Sequence, residues 1–256
     1  MSRFNNAIAV ITGGGSGIGE ASAKRLASEG AKVVLVGRTV SKLEKVASDI
    51  NEEQNEKVAF PFACDVTSEK EVNQLAEYVE KEFGDVTVLI NNAGGSFISN
   101  IQGTSYEQWE EIQKLNVDSV FLVSKRLGKV MLDASSKDAN INRSIINIAS
   151  LSGHKPGALF PHYSAAKAAV INLTKALAFE YSRNGIRVNS ISPGFVETAL
   201  VDAKNEKVQK IINRKTTMSR LGKPEEIASV VAFLSSEEAS YVTGIDMLVD
   251  GGYMLT

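Results

Sequence analysis

Thr12-Gly13-Gly14-Gly15-Ser16-Gly17-Ile18-Gly19 is the stretch that decides the fold. It follows an apolar, β-branched run over 7–12 and opens a segment over 19–29 with helical spacing. Glycines here allow a tight turn, close approach of backbone to a pyrophosphate, and close packing of helix on strand. The helix start then presents free N–H groups to phosphate oxygens. Gly13, Gly15, Ser16, Gly17, Ile18 and Gly19 are therefore the first candidate dinucleotide contacts. A glycine-rich surface turn with no ligand is the plain alternative, and the strand before and helix after weigh against it.

Outward from this turn the chain repeats one rhythm. Short apolar runs at 7–12, 32–37, 58–63, 86–91, 144–149, 187–192 and 245–249 read as strands. Helical spacing lies between them at 19–29, 41–51, 68–83, 106–132, 161–183 and 225–234. Such alternation predicts an α/β fold with a doubly wound, seven-stranded, mostly parallel sheet covered by helices on both faces. Pro61 sits in the third run; a proline cannot donate to a central ladder, so that strand belongs at an edge. The strand order 3-2-1-4-5-6 of dinucleotide-binding sheets puts the third strand there independently. The polar stretch 135–143 reads as a surface loop, and the weakly patterned 195–219 as a flap over a site.

Composition narrows the function classes. At about 150 residues per domain, 256 residues allow one large domain or two small ones. No linker or repeat divides the chain, so a single domain over 1–256 is expected. With a net charge of -2 the chain has no basic excess for nucleic acid. One cysteine and two histidines make a metal cage improbable. No signal core or long apolar run is present, which predicts a cytoplasmic protein with no membrane contact.

The end of the second strand bears on the cofactor. Where an acid would hold a ribose 2′-hydroxyl, the chain has Gly37 and Arg38. A guanidinium pairs with a 2′-phosphate, and loss of the acid removes a repulsion, so NADP is favoured over NAD. Asp65, with Val66 beside it, is placed to meet an adenine amino group or to cap the following helix. Asn91-Asn92-Ala93-Gly94 ends the fourth strand, and its small residues Ala93 and Gly94 admit a cofactor close to the backbone. Pro193 and Gly194, followed by Val196 and Thr198, form a turn whose backbone can face a nicotinamide carboxamide or simply reverse the chain.

Tyr163-Ser164-Ala165-Ala166-Lys167 carries the most chemistry. Positions i and i+4 share a helix face, so phenol and ammonium are neighbours, and a nearby cation is expected to lower the phenol pKa. Tyr163 then becomes a usable general acid/base. Ser150 closes the fifth strand, where ligands bind in open α/β sheets, and its hydroxyl can share charge on a carbonyl oxygen. A hydrolase nucleophile is a rival use of Ser150, but 148–152 lacks the Gly-x-Ser-x-Gly elbow. Asn116 interrupts a helical stretch, which points to a side-chain task or a local kink. Gly95, Ser96, Phe97, Leu151, His154, Phe160, His162, Phe195 and Val196 are candidate pocket residues, mixed but mostly apolar. His162 is either a proton-relay member or a wall residue at the helix start.

Taken together, Thr12–Gly19, Asn91–Gly94, Asn116, Ser150, Tyr163-x-x-x-Lys167 and Pro193-Gly194 resemble the short-chain dehydrogenase/reductase family in order and spacing. The resemblance extends to Asp250-Gly251-Gly252 and is nearest to 3-oxoacyl-carrier-protein reductases. It implies a Rossmann-like domain and an oxidoreductase reducing a ketone with NADPH. An NAD-dependent sugar, polyol or steroid alcohol dehydrogenase and a non-catalytic dinucleotide sensor are the alternatives. It further implies that Tyr163 exchanges the proton, Lys167 lowers its pKa and meets the nicotinamide ribose, Ser150 positions the substrate oxygen, and Asn116 holds Lys167 through water. The family is commonly tetrameric, so a homotetramer is expected. One departure is Ser16, where NADP-using members often carry a basic residue. Carrier-protein docking would need a basic patch; Arg126, Lys129 and Arg183 are offset by Asp133 and Asp138.

Overall fold

The computed structural model describes residues 2–157, 159–198, 212 and 214–256. Chain order is β1 (Ile8–Thr12), α1 (Gly17–Ser28), β2 (Lys32–Gly37), α2 (Val40–Gln54), β3 (Ala59–Ala63), α3 (Glu69–Phe83) and β4 (Val88–Asn91). There follow α4 (Tyr106–Gln113), α5 (Ser119–Ser135), β5 (Arg143–Ile148), α6 (Pro161–Tyr181), β6 (Ile186–Pro193), α7 (Pro224–Ser235) and β7 (Asp246–Val249). The strands form one sheet in the order β3-β2-β1-β4-β5-β6-β7, and every pairing is parallel. Pro61 lies opposite Leu35 on the edge strand β3, where its missing N–H faces no ladder.

Two-residue periodicity builds two cores from each strand. Ala9 and Ile11 of β1 and Val33 and Leu35 of β2 join Leu26, Ile50 and Val231 on the face covered by α1, α2 and α7. Val10, Val34 and Val36 point the other way, onto Leu75, Val123, Leu127 and Leu177 of α3, α5 and α6. Burial on both faces explains why these strands read as continuous apolar runs.

Local signals set the helix ends. Ser105 and Gln108 form a reciprocal capping box on α4, and Pro161 sits in the first turn of α6. The expected helix over 106–132 is divided: Lys114–Asp118 is a π-turn between α4 and α5, with Asn116 at its centre. The expected flap over 195–219 falls largely on 199–211 and 213, which lie outside the described residues.

Arg143, expected at the end of a polar loop, begins β5 and is almost fully buried. Its guanidinium meets Asp85 Oδ2 at 2.7 Å and the Asp138 carbonyl at 2.9 Å, so its charge and its donors are met inside the fold. The Asp85 side chain is 18% exposed. Asp85→Ala is expected to lower the unfolding free energy by about 2 kcal/mol, below the roughly 3–5 kcal/mol of a fully buried pair because Asp85 already touches water. Urea titration of the variant checks this.

Candidate active site

The C-terminal ends of β1, β4, β5 and β6 converge on one edge of the sheet, and the glycine turn is locked there first. Thr12 Oγ1 accepts from the N–H groups of Asn92 (2.9 Å) and Ala93 (3.0 Å). Asn92 Nδ2 returns a bond to the Thr12 carbonyl at 3.0 Å. A Cβ at Gly19 would lie 2.6 Å from Asn92 Nδ2, and one at Gly13 (φ +66°) would lie 2.7 Å from the same atom. No side chain fits at either position, which brings the start of α1 against the turn after β4. Ser16 is the N-cap of α1, and its hydroxyl makes no capping bond to the helix.

Above this turn lies a cleft that is open to solvent. It brings together Gly13, Gly15, Ser16, Arg38, Asp65, Val66, Ala93 and Gly94, all expected from the sequence. Asp65 does not cap α3; Ser68 does, accepting from Glu71 N–H. Asp65 Oδ1 instead accepts from Thr67 N–H at 2.9 Å and Thr67 Oγ1 at 2.8 Å. The Thr67 backbone bond, chiefly, with Arg38 and Lys114 nearby, holds its carboxyl below the usual range. Thr39, Lys42, Leu43 and Leu115 also line the cleft and were not singled out from the sequence. Lys42 had a readable signal. It lies in the first turn of α2, which holds no acidic residue, where the helix dipole disfavours a cation.

Six further expected contacts lie outside the lining of the cleft. Gly17 opens α1, and a Cβ there would lie 3.3 Å from Thr198 Cγ2, so the segment after β6 reaches the start of that helix. Ile18 packs onto the core under α1. Pro193 closes β6 opposite Val249, and a Cβ on Gly194 would lie 2.7 Å from Asp250 Cα. Gly194 is thus required for close packing against the chain after β7. The Val196 side chain is buried in the core, leaving only its backbone to face a ligand.

The candidate reacting residues sit across the same edge. Ser150 is the N-cap of a short turn, Leu151–Gly153, and its Oγ accepts from Ser152 N–H at 3.1 Å. The Tyr163 hydroxyl faces Ser150, whose side chain favours the ionised phenol. Lys167 is buried beneath, donating from Nζ to the Ile148 carbonyl at 2.8 Å, 5.6 Å from the centre of the Tyr163 ring. Asn116 is fully buried in the π-turn and donates from Nδ2 to the carbonyls of Ile112 (3.0 Å) and Gly95 (2.9 Å). A Cβ on Gly94 would meet Asn116 Oδ1 at 2.8 Å and Lys167 Nζ at 3.4 Å, so these three groups adjoin.

Electrostatics here differ from the expectation in one respect. Burial raises the Tyr163 pKa, and the Ser150 side chain only partly opposes it. Lys167 is lowered to about 8, also by burial. Its ammonium is engaged by a carbonyl, and desolvation of the phenol prevails over the neighbouring cation. In the protein alone Tyr163 is therefore a neutral phenol. Among the pocket candidates, His154 turns to Asp246 Oδ2 on β7 at 2.7 Å, and Phe195 packs edge-on against Tyr253.

Comparison with known proteins agrees with this arrangement. A family model described as enoyl-(acyl carrier protein) reductase matches residues 13–254. Meso-2,3-butanediol dehydrogenase of Serratia marcescens is 35% identical over 98% of this chain and 95% of its own. A 3-oxoacyl-acyl-carrier-protein reductase of Vibrio cholerae is 34% identical over 97% and 98%. The crystal structure of a short-chain type dehydrogenase/reductase from Mycobacterium marinum superposes with a TM-score of 0.91 at 34% identity, covering 99% of this chain and 97% of that one. With the glycine turn, the cleft and the Ser150–Tyr163–Lys167 cluster on one sheet edge, the chain belongs to the short-chain dehydrogenase/reductase family, whose members use nicotinamide cofactors.

Proposed function

We propose that this chain, acting as a single catalytic domain, reduces a small ketone to a secondary alcohol with NADPH. Tyr163 facing Ser150, with the buried Lys167 ammonium 5.6 Å from its ring centre, is the arrangement that carries this reading. A protonated phenol is the form that donates to a carbonyl oxygen.

The cleft fits a dinucleotide. The N–H groups at the start of α1, from Gly17 to Gly19, would meet the pyrophosphate, and Asp65 and Val66 the adenine. Arg38 and Lys42 line the end where a 2′-phosphate would lie, opposite no acid of β2, which supports NADP over NAD. Ala93, Gly94, Pro193, Gly194 and Thr198 border the nicotinamide side. When bound, the nicotinamide supplies the hydride that becomes the carbinol C–H.

The chain's own groups do the rest. Tyr163 Oη gives its proton to the carbonyl oxygen, and Ser150 Oγ hydrogen-bonds that oxygen as it gains charge. Lys167 supplies positive charge below the phenolate that remains, and Asn116 fixes the Gly95 backbone at the mouth of the site. Lys129 is paired with Asp133 at 2.7 Å, which weakens the basic patch that a carrier protein would need and favours a free small-molecule carbonyl. The outer faces of α5 and α6 expose Phe121 and Phe179, the latter 80% exposed, and a homotetramer would cover such apolar surface.

Three outcomes test this reading. NADPH should be consumed against a ketone panel, and Tyr163→Phe should lower kcat by about 10²–10⁴-fold while NADPH still binds. If Tyr163→Phe keeps full turnover, the proton-donor role is wrong. Arg38→Asp should weaken NADPH by roughly 10–100-fold, the equivalent of one charge-assisted hydrogen bond, and shift preference to NADH; unchanged selectivity removes Arg38 from the cofactor site.

Lys167 gives a pH test. Its folded pKa of about 8 lies below the roughly 10.4 of an unfolded lysine, so the unfolded chain binds the extra proton between those values. Stability contributed by this group therefore rises with pH through that window, and the buried ammonium is destabilising below it. Lys167→Met should abolish turnover yet raise the thermal midpoint by a few degrees at pH 7. That advantage should shrink above pH 8 in parallel melts of the two proteins.

A further inference from the structure

We propose that His162 is a positioning residue that fixes Phe97 as the substrate-facing wall beside Tyr163, and so sets which carbonyl substituents the site accepts. This rests on the reductase reading and deepens it.

The loop from Gly94 to Ser105 leaves β4 next to Lys167 and is fastened at alternate residues. Gly95 exchanges two bonds with Asn116, its N–H to Oδ1 at 3.3 Å and its carbonyl from Nδ2 at 2.9 Å. The Phe97 carbonyl accepts from His162 Nε2 at 3.2 Å. Ser99 N–H donates to the Leu159 carbonyl at 3.0 Å. The first anchor adjoins Lys167, and the second is on the residue before Tyr163, so the loop runs along the first turns of α6 past the Tyr163 side chain.

The central anchor is the best built. His162 is fully buried, and its ring stacks on Phe97 with centroids 4.4 Å apart and planes 18° from parallel. Its own carbonyl accepts from Gln113 Nε2 at 3.0 Å, which ties α6 to α4 at the same point. One side chain therefore sets both the backbone and the ring of Phe97. A carbonyl oxygen only accepts, so the imidazole carries its proton on Nε2. Nδ1 is then a buried lone pair with no partner among the described residues. A phenylalanine at 162 would stack on Phe97 without that unmet acceptor. What the histidine adds is the N–H bond to the loop, and this is the feature that points to positioning rather than filling.

His162→Phe separates the two contributions, since it keeps a stacked ring and deletes the donor. Hydrogen exchange on the protein without nucleotide should show faster exchange at Ser99 and its neighbours, with α6 unchanged beyond its first turn. In steady state, KM for a bulky ketone should rise roughly tenfold with kcat within about twofold. KM for a small ketone and for NADPH should stay near wild type. His162→Gln, which keeps an N–H donor and lacks the ring, should restore part of the loop protection. If His162→Phe leaves either the loop exchange or the bulky-to-small KM ratio unchanged, the proposal is overturned. Should His162→Phe not fold, His162→Leu, which also lacks the donor, carries the same two readouts. Absence of ketone turnover in the wild type would count against the reductase reading alone, because the exchange measurement needs no turnover.

Discussion

Everything at the working edge of this protein depends on the absence of a side chain at Gly19. The Gly13 carbonyl and the Asn92 amide occupy the space that a Cβ would need. Because they can, α1 starts directly on the end of β1, and the turn after β4 is drawn in by Thr12 and Asn92. That one close approach fixes the distance between the start of α1 and the chain leaving β4. Hydrophobic burial on both sheet faces supplies the bulk of the stability, but it is nondirectional and would tolerate a looser turn. Steric exclusion at two glycines is what makes the geometry specific.

A second ordering element runs through the middle of the sheet. Asn91 of β4 donates to Asn147 of β5 at 2.8 Å and to Ser124 of α5 at 2.9 Å. Asn147 passes the chain on to Thr174 of α6 at 2.9 Å. All four side chains are buried among aliphatic neighbours. Such a ladder constrains more than it stabilises, because each amide has only a few orientations that satisfy its partners. It sets α5 and α6 against β4 and β5 directly below Asn116 and Lys167. The π-turn at Lys114–Asp118 then provides the extra residue that turns Asn116 inward to the Ile112 and Gly95 carbonyls.

Much of this was legible in the sequence, and the legible parts share a cause. The glycine turn, the edge position of β3, the two-faced strands and the kink at Asn116 follow from constraints carried by single residues or short periods. Glycine, proline, alternation and a poor helix former each act locally. What was not legible depends on where other parts of the chain come to rest. Val196 enters the core where the chain after β6 forms an isolated parallel bridge to Gly222. Arg143 is buried rather than solvated because Asp85, far off in sequence, waits in the turn between α3 and β4. Lys42 reaches the cleft because α2 begins beside β2. The direction of the Tyr163 pKa could not be read from Tyr-x-x-x-Lys, since spacing reports the neighbouring cation and says nothing of desolvation.

That last difference bears on how the site works. A lysine in water is a strong cation beside which a phenol would ionise more readily. Here the two groups are buried together, and Lys167 is matched by a carbonyl dipole rather than a carboxylate. Each group's charge is therefore costly, and the pair rests in the state with a neutral phenol. A proton lost from Tyr163 creates the anion that Lys167 lacks, so charge separation at the oxygen is offset by a new pairing within the same dry site. The chain's near-neutral total conceals this arrangement. Among the described residues, the positive charge around the cluster and the cleft is the Lys167 ammonium, held by the Ile148 carbonyl, and two exposed cations, Arg38 and Lys42, that line the cleft.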